Sequence, residues 1–128
     1  MNRALSDPRL LLAREWSEAA LQRAVIEAAK MQGWLVYHAR PGMMRSGKWA
    51  TPTQGNPGLP DLIMVEGKVE GRPRDVLFIE LKAERGKVSP DQQRWLDALK
   101  EAGQDVRVWR PSDWLNGEIL ETLRREAP

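Results

Sequence analysis

The sequence predicts an α/β domain in which helices flank a small mixed β-sheet. Apolar residues recur at helical spacing in the segments that begin at Ser17 and Ser89, which indicates amphipathic helices. Four short apolar runs are typical of strands: residues 34–40, 61–66, 76–82 and 105–110. A strand, a helix and a strand also follow one another over residues 76–109, an order that predicts a right-handed parallel crossover.

Length and composition indicate one ordinary globular domain, expected to span residues 1–128. With 41% apolar and 30% charged residues, the chain has no run near the roughly 18 apolar residues that a membrane span needs. The lack of cysteine excludes disulfides, thiolate metal sites and cysteine nucleophiles. No secretory signal is recognisable, so we expect a cytoplasmic protein without a membrane partner.

The first part of the chain is predicted to contain two helices and a strand. Pro8 suits the first turn of a helix within residues 1–16, and Ser17 can cap a second helix that Gly33 ends. The apolar positions of this second helix are Ala20, Leu21, Ala24, Val25, Ala28 and Ala29. Residues 34–40 then form the first strand.

The rest of the chain is predicted to contain a long loop, a hairpin, two helices and another strand. Residues 41–60 are rich in Gly and Pro, and loops of this length in small domains are usually functional or mobile. The strands that begin at residues 61 and 76 flank a turn at 68–75 and should pair. The subsequent elements are a helix from Ser89 to Gly103, a strand at 105–110 and a helix at 112–126, imperfect at Gly117.

Basic residues are concentrated in two stretches, although the net charge is only +2. These residues are Arg40, Arg45 and Lys48 in the first stretch, and Lys82, Arg85 and Lys87 in the second. No acidic residue lies between positions 38 and 60. The pattern and a pI of about 9.2 permit a nucleic-acid partner, but two solvated loops explain the charges equally well.

Charged residues interrupt the apolar strand that begins at Val76. Glu80 and Lys82 lie two positions apart and therefore project from one face, while Leu81 points into the core. The predicted hairpin places Asp61 at the same end of the sheet, so that two carboxylates face one point. A hard cation such as Mg²⁺ relieves their repulsion, and with a lysine beside it the set suits phosphodiester hydrolysis. The alternative is that Glu80 and Lys82 form a cross-strand or exposed ion pair, worth less than about 1 kcal/mol.

The pair Pro60-Asp61 followed by Glu80-Leu81-Lys82 resembles the motif of the PD-(D/E)xK nuclease superfamily. More narrowly, the chain is similar to the VRR-NUC family, whose stand-alone members occur in bacteria and phages. The supporting segments are, in order, SEAALQRAVIEAAKMQGW, GNPGLPDLIMV, FIELKAERGKVSPDQQRWLDALKEAG and VRVWRP. They cover about residues 17–111, so the resemblance implies a restriction-endonuclease-like core there and an N-terminal helical extension over residues 1–16.

The resemblance implies a metal site with a catalytic lysine. Asp61 and Glu80 would bind Mg²⁺ or Mn²⁺, helped by the main-chain carbonyl of Leu81. Glu18 would be a further catalytic acid at the metal's water shell, although the helix dipole alone would also favour an acid there. Lys82 would act on the attacking water or on the scissile phosphate.

The resemblance also implies supporting residues around the motif. Gln92 matches the glutamine at the start of the family's helix and would support the site or the DNA, whereas Gln93 lies one position off that pattern. Lys87 and Ser89 lie where the family's loop approaches phosphate. The predicted DNA contacts are Arg40, Arg45, Lys48, Lys87 and Ser89.

Three other residues have competing interpretations. Gln22 faces roughly the same way as Glu18 and can join the site or be solvated. His38 is the single histidine, so we expect no metal role, and general-base action is the functional alternative. Trp49 lies beside Lys48 and is a candidate for stacking on an unpaired base, whereas tryptophans more often anchor cores or interfaces.

The leading hypothesis is a Mg²⁺- or Mn²⁺-dependent, structure-selective DNA endonuclease. Family resemblance implies a homodimer that cuts four-way junctions, in a bacterial cell or a phage-infected host, with the N-terminal or the last helix as the dimer surface. Flap or fork cleavage is the closest alternative substrate. A catalytically silent DNA-binding module and a purely structural α/β protein are the alternatives of other classes.

Overall fold

The computed structural model describes residues 7–39, 42–43, 49–50 and 54–125, and within them five helices and six strands follow one another. In chain order they are α1 (Pro8–Glu15), α2 (Glu18–Met31), β1 (Leu35–His38), β2 (Gly42–Met43), β3 (Trp49–Ala50), β4 (Leu62–Val65), β5 (Val76–Leu81), α3 (Pro90–Glu101), β6 (Asp105–Trp109), α4 (Pro111–Leu115) and α5 (Glu118–Arg124). None of these helices combines the length and the apolar character that crossing a bilayer requires.

Four strands form one mixed sheet in the order β1–β4–β5–β6. β4 pairs antiparallel with both β1 and β5, and β6 pairs parallel with β5. The predicted α/β class, the hairpin and the parallel strand–helix–strand unit are therefore confirmed. Leu62 lies opposite both His38 and Ile79, so the start of β4 meets the ends of β1 and β5 at one end of the sheet.

Side chains cap the first two helices, and Ser17 does so at the predicted position. Asp7 accepts from the amide of Arg9 at 2.9 Å, and Ser17 accepts from the amide of Ala20 at 3.0 Å. Gly33, with φ of +87°, follows the end of α2 and turns the chain into β1. Local sequence signals therefore determine where α2 begins and ends.

The structure differs from the predicted elements in two places. The predicted loop 41–60 contains a short hairpin, because β2 and β3 pair antiparallel. The predicted last helix is divided into α4 and α5 at Gly117, whose φ of +86° is left-handed and cannot continue a right-handed helix. After this break α5 directs Ile119 and Leu123 into the core, where both are buried.

The hydrophobic core lies between the sheet and the helices α2 and α5. Its buried members are Leu21, Val25, Ala29, Trp34, Leu62, Met64, Leu77, Ile79, Leu81, Trp109, Ile119 and Leu123. Alternate residues of β4 and β5 are buried, as expected for strands with one face on the core. α1 joins this body through α4, where the rings of Trp16 and Trp114 lie 6.2 Å apart between centroids.

An ion pair between the buried Glu66 and the exposed Arg72 closes the turn between β4 and β5. Glu66, only 3% exposed, accepts from the guanidinium of Arg72 at 2.7 and 2.8 Å and from the amide of Asp75 at 3.0 Å. The hydrogen bond from Arg72 is the main reason that the pKa of Glu66 is lowered to about 2. This pair supports the hairpin at the end remote from Asp61.

The segment before β4 packs against the first turns of α3. Trp95 donates from Nε1 to the carbonyl oxygen of Asn56 at 3.2 Å. At Gly58, where φ is +102°, a Cβ atom would lie 2.6 Å from the carbonyl of Asp91 and 2.8 Å from the amide nitrogen of Gln92. Only glycine permits this approach of two backbones.

We expect Glu66→Gln to lower the free energy of unfolding by about 1–3 kcal/mol at pH 7, because a charged acceptor of buried hydrogen bonds is lost. The pKa of Glu66 is lower in the folded chain than its ordinary value of 4.5. Wild type should therefore have a higher free energy of unfolding than the variant above pH 4.5. This difference should disappear as the pH falls from 4.5 towards 2. Urea denaturation across this range measures it. Glu70→Gln, an exposed change in the same turn, is the control, and an equal loss in both variants would contradict the interpretation.

We expect Gly58→Ala to destabilise the chain by about 1–3 kcal/mol more than Gly55→Ala, because its methyl group collides with the α3 backbone. Gly55 is the matched control: its φ is +101°, and among the described residues nothing lies within 4 Å of an added Cβ. Both variants share the cost of a left-handed alanine, about 1–2 kcal/mol. Equal unfolding free energies would show that the close approach at Gly58 is unimportant.

Candidate functional site

The predicted charged residues lie together where β4 begins and β5 ends. Asp61 directly precedes β4, Glu80 is in β5 and Lys82 directly follows it. Because Leu62 pairs with Ile79, Asp61 comes beside the Glu80–Leu81 peptide. Glu80 is 1% exposed and Lys82 is 8% exposed, so the alternative of an exposed ion pair between them is wrong.

A backbone hydrogen bond orients the carboxylate of Asp61. Its Oδ2 accepts from the amide of Leu81 at 2.8 Å. This bond continues the contact between the two strands beyond the regular pairing, and it keeps Asp61 beside Glu80. On the other side of Leu81, the amide of Lys82 donates to the carbonyl oxygen of Trp109 at 3.0 Å, so the end of β5 is held from both neighbouring strands.

Glu80 is an incompletely satisfied buried carboxyl group. Its Oε1 receives a long contact of 3.5 Å from Nε2 of Gln92, and its buried Oε2 has no hydrogen-bonding partner among the described residues. Burial raises the pKa of Glu80 well above its usual range and the neighbouring carboxylate of Asp61 raises it further, although the charge of Lys82 acts in the opposite direction. Buried polar atoms without partners are rare and call for an ion, a water molecule or a functional explanation.

A hard divalent cation fits this set of oxygen atoms. Such a cation accepts carboxylate and carbonyl oxygens together with water and substrate oxygens, and it removes the repulsion between Asp61 and Glu80. Within the described ranges, no three carboxylate or imidazole side chains form a ready-made metal cage. The two carboxylates would therefore hold an ion in an open site, and the contribution of the Leu81 carbonyl stays a prediction.

Glu18 lies at the start of α2 and is within electrostatic range of the same site. Partial burial and the charge of Asp61 raise the pKa of Glu18, while the charge of Lys82 lowers it. Its side chain is exposed, unlike that of Glu80. The fold therefore brings a third acidic residue near the site without packing it against the other two.

Gln92 links the start of α3 to Glu80. Its side-chain oxygen accepts from the amide of Ser89 at 2.9 Å, and Ser89 Oγ accepts from the amide of Gln92 at 3.2 Å, which together form a capping box. This leaves Nε2 of Gln92 free to point towards Glu80. Gln93 instead donates to Asp97 on the same helix at 2.8 Å, so it does not join the site.

Arg110 braces the turn that follows Lys82, a role that sequence analysis did not identify. Its Nη1 donates to the carbonyl oxygens of Ala83, Glu84 and Gly86 at 2.8, 3.2 and 2.7 Å. In the sequence, such a contact is indicated only by the position of Arg110 directly after the strand that pairs with β5. The exposed side chain of Lys87 lies just beyond this braced turn.

Gln22 and His38 also lie beside the site. Nε2 of Gln22 is 2.8 Å from Nε2 of His38, and Nδ1 of His38 is 3.4 Å from the main-chain oxygen of Asp61. Gln22 is half-buried and therefore combines a contact beside the site with partial exposure to solvent. The sequence indicated only that Gln22 faces the same way as Glu18.

Several predicted DNA contacts are not described by the structure. Arg40, Arg45 and Lys48 lie outside the described residues, as does the side chain of Trp49. Ser89 and Lys87 are described and are exposed, although the hydroxyl of Ser89 already caps α3. Their predicted contacts with phosphate stay predictions.

Comparison with known proteins identifies one family. Comparisons with curated proteins and with solved structures find no match. A model of the VRR-NUC domain matches residues 18–113, which is more than half of the chain and contains Asp61, Glu80 and Lys82. On this match and the mixed sheet flanked by helices, the chain belongs to the VRR-NUC family.

Proposed function

We propose that this chain is a divalent-metal-dependent endonuclease that hydrolyses phosphodiester bonds in DNA. Its VRR-NUC domain indicates nuclease-type processing of DNA. The observation that supports metal dependence is the buried Oε2 of Glu80, which has no hydrogen-bonding partner in the described part of the chain and lies beside a second carboxylate, Asp61. A buried carboxylate without a compensating partner is costly, and a cation held by Glu80 and Asp61 would remove this cost.

Asp61 and Glu80 would hold Mg²⁺ or Mn²⁺, with the Leu81 carbonyl and Glu18 as further contributors. When bound, the ion supplies Lewis-acid stabilisation of the negative charge that develops on the phosphodiester. The backbone of Leu81 fixes the orientation of Asp61, and Gln92 restrains Glu80 from the α3 side. Both restraints hold the carboxylates in place before the substrate arrives, which reduces the reorganisation that the reaction requires.

Lys82 contributes the positive charge of the proposed site. Its side chain is almost completely buried next to the carboxylates, so its ammonium group acts in a region of low dielectric constant. There it can stabilise charge on the scissile phosphate or orient the attacking water. Lys87 and Ser89 lie on the exposed surface beyond Lys82, where they would contact phosphates of the DNA backbone.

We further propose that the enzyme is a homodimer that selects branched DNA, with four-way junctions as the favoured substrate. A two-fold dimer presents two active sites to opposed strands. On α1, Leu11 and Leu12 are 48% and 52% exposed, whereas α5 buries Ile119 and Leu123 in the core. This contrast favours α1 over the last helix as the dimer surface. Flap or fork cleavage is the alternative substrate, and a catalytically silent DNA-binding module is the alternative function.

We expect Glu80→Gln to lower the cleavage rate at least about 100-fold, since Lewis-acid stabilisation worth several kcal/mol is lost. Without metal, its free energy of unfolding should equal or exceed that of wild type, because an amide has no charge to bury. Gel assays of labelled DNA in Mg²⁺ or Mn²⁺ and urea denaturation measure the two effects. Glu101→Gln, an exposed change on α3, is the matched control. Full activity in folded Glu80→Gln would exclude the proposed site.

We expect wild type to nick four-way junctions symmetrically and to cut flap, fork and linear duplex DNA at least tenfold more slowly. Symmetric nicks require two active sites in one complex. The test is a side-by-side digest of the four labelled substrates, with light scattering to measure the mass in solution. Preference for flaps would select the alternative substrate. Tight binding without cutting in either metal would select the silent module.

A further inference from the structure

Gln22, His38 and Asp61 form a chain of contacts from α2 to the candidate metal site. His38 lies opposite Leu62 in the sheet, so its ring can reach the residue that precedes β4. The contacts are 2.8 Å from Gln22 Nε2 to His38 Nε2 and 3.4 Å from His38 Nδ1 to the main-chain oxygen of Asp61. Neither Gln22 nor His38 belongs to the set of carboxylates and lysine described above.

The donors and acceptors in this chain determine one tautomer of His38. Because Nε2 of the Gln22 amide is a donor, the facing Nε2 of the imidazole must accept. The ring proton is then on Nδ1, which points to the carbonyl oxygen of Asp61. His38 therefore donates to the backbone from Nδ1, and both of its ring nitrogens are engaged. This arrangement disfavours general-base action, which needs a nitrogen that faces the attacking water.

Cohesion between α2 and the sheet does not depend on this polar link. Leu21 and Val25 of α2 are completely buried and already secure the helix on the core. Gln22 and His38 are only half-buried, so their link contributes little apolar stabilisation. A directional contact that adds little to cohesion, yet ends on the backbone of a candidate metal ligand, is suited to orientation.

The link also determines how the start of α2 faces the site. Gln22 lies one helical turn after Glu18 and on the same side of the helix. Attachment of Gln22 to His38 therefore limits the rotation of α2 and keeps Glu18 near Asp61. We propose that Gln22 and His38 are positioning residues that hold the Asp61 backbone and Glu18 in register for metal binding, an inference that rests on the proposed nuclease function.

The test compares Gln22→Ala, His38→Ala, His38→Asn and the double alanine variant with wild type. Mn²⁺ affinity is measured by calorimetry, DNA affinity in EDTA, and kcat and KM on the substrate that wild type cuts best. We expect both single alanine variants to bind Mn²⁺ about tenfold more weakly and to lose about tenfold in kcat. DNA affinity in EDTA should change less than twofold, because neither residue is expected to contact phosphate.

Two comparisons separate positioning from general destabilisation. Asparagine can donate to the Asp61 carbonyl from the place of His38 Nδ1 but lacks the Nε2 that faces Gln22, so His38→Asn should bind Mn²⁺ no more weakly than Gln22→Ala. If Gln22 acts only through His38, the Mn²⁺ affinity and the kcat of the double variant should be no lower than those of His38→Ala. Gln93→Ala removes a glutamine that is bonded only along α3 and should behave as wild type.

Wild-type Mn²⁺ affinity and kcat in folded Gln22→Ala and His38→Ala would overturn the inference, as would additive losses in the double variant. A wild type that cuts none of the DNA substrates would refute the proposed function instead. The Mn²⁺ titrations would then still decide the inference: weaker binding in both alanine variants supports it, and no difference, or no binding by wild type, overturns it.

Discussion

The hydrogen bond from the amide of Leu81 to the carboxylate of Asp61 is the interaction on which the arrangement of the site depends. It exists because β4 and β5 pair with Leu62 opposite Ile79, which leaves Asp61 one step beyond the paired residues. A shift of one residue would turn Glu80 and Lys82 to the other face of the sheet and separate the two carboxylates. The Glu66–Arg72 ion pair and the close approach at Gly58 support this register from opposite ends of the hairpin.

The charged residues that form the site also lower the stability of the fold. Glu80 and Lys82 occupy the end of a core strand where apolar residues would cost less to bury. Asp61 increases this cost, because its charge raises the pKa of Glu80. The apolar residues of β4, β5, α2 and α5 offset it by enclosing one side of the sheet. Strain of this kind is characteristic of sites whose charge is completed by an ion or a substrate.

Much of the fold and the centre of the site could be predicted because their signals are local. Ser17 and Gly33 mark the ends of α2 within a few residues, and strand alternation placed Glu80 and Lys82 on one face. By contrast, Arg110 contacts carbonyl groups 24 to 27 positions away, and Gln22 contacts His38 across 16 positions. Such contacts depend on how elements pack, and no spacing rule within one element reveals them. The division of the last helix at Gly117 likewise depends on the packing of α5.

The separation of the site residues along the chain has a consequence for its dynamics. Asp61 and Leu81 are only 20 positions apart and belong to one hairpin, which can form with a small loss of chain entropy. Glu18 and Gln22 belong to a helix that docks on this hairpin from elsewhere in the chain. The two halves of the site are therefore held together by the packing of Leu21 and Val25 of α2 in the core against the sheet. Transient release of α2 would leave Asp61 and Glu80 together but without Glu18. The complete site therefore lasts only as long as α2 stays in contact with the sheet.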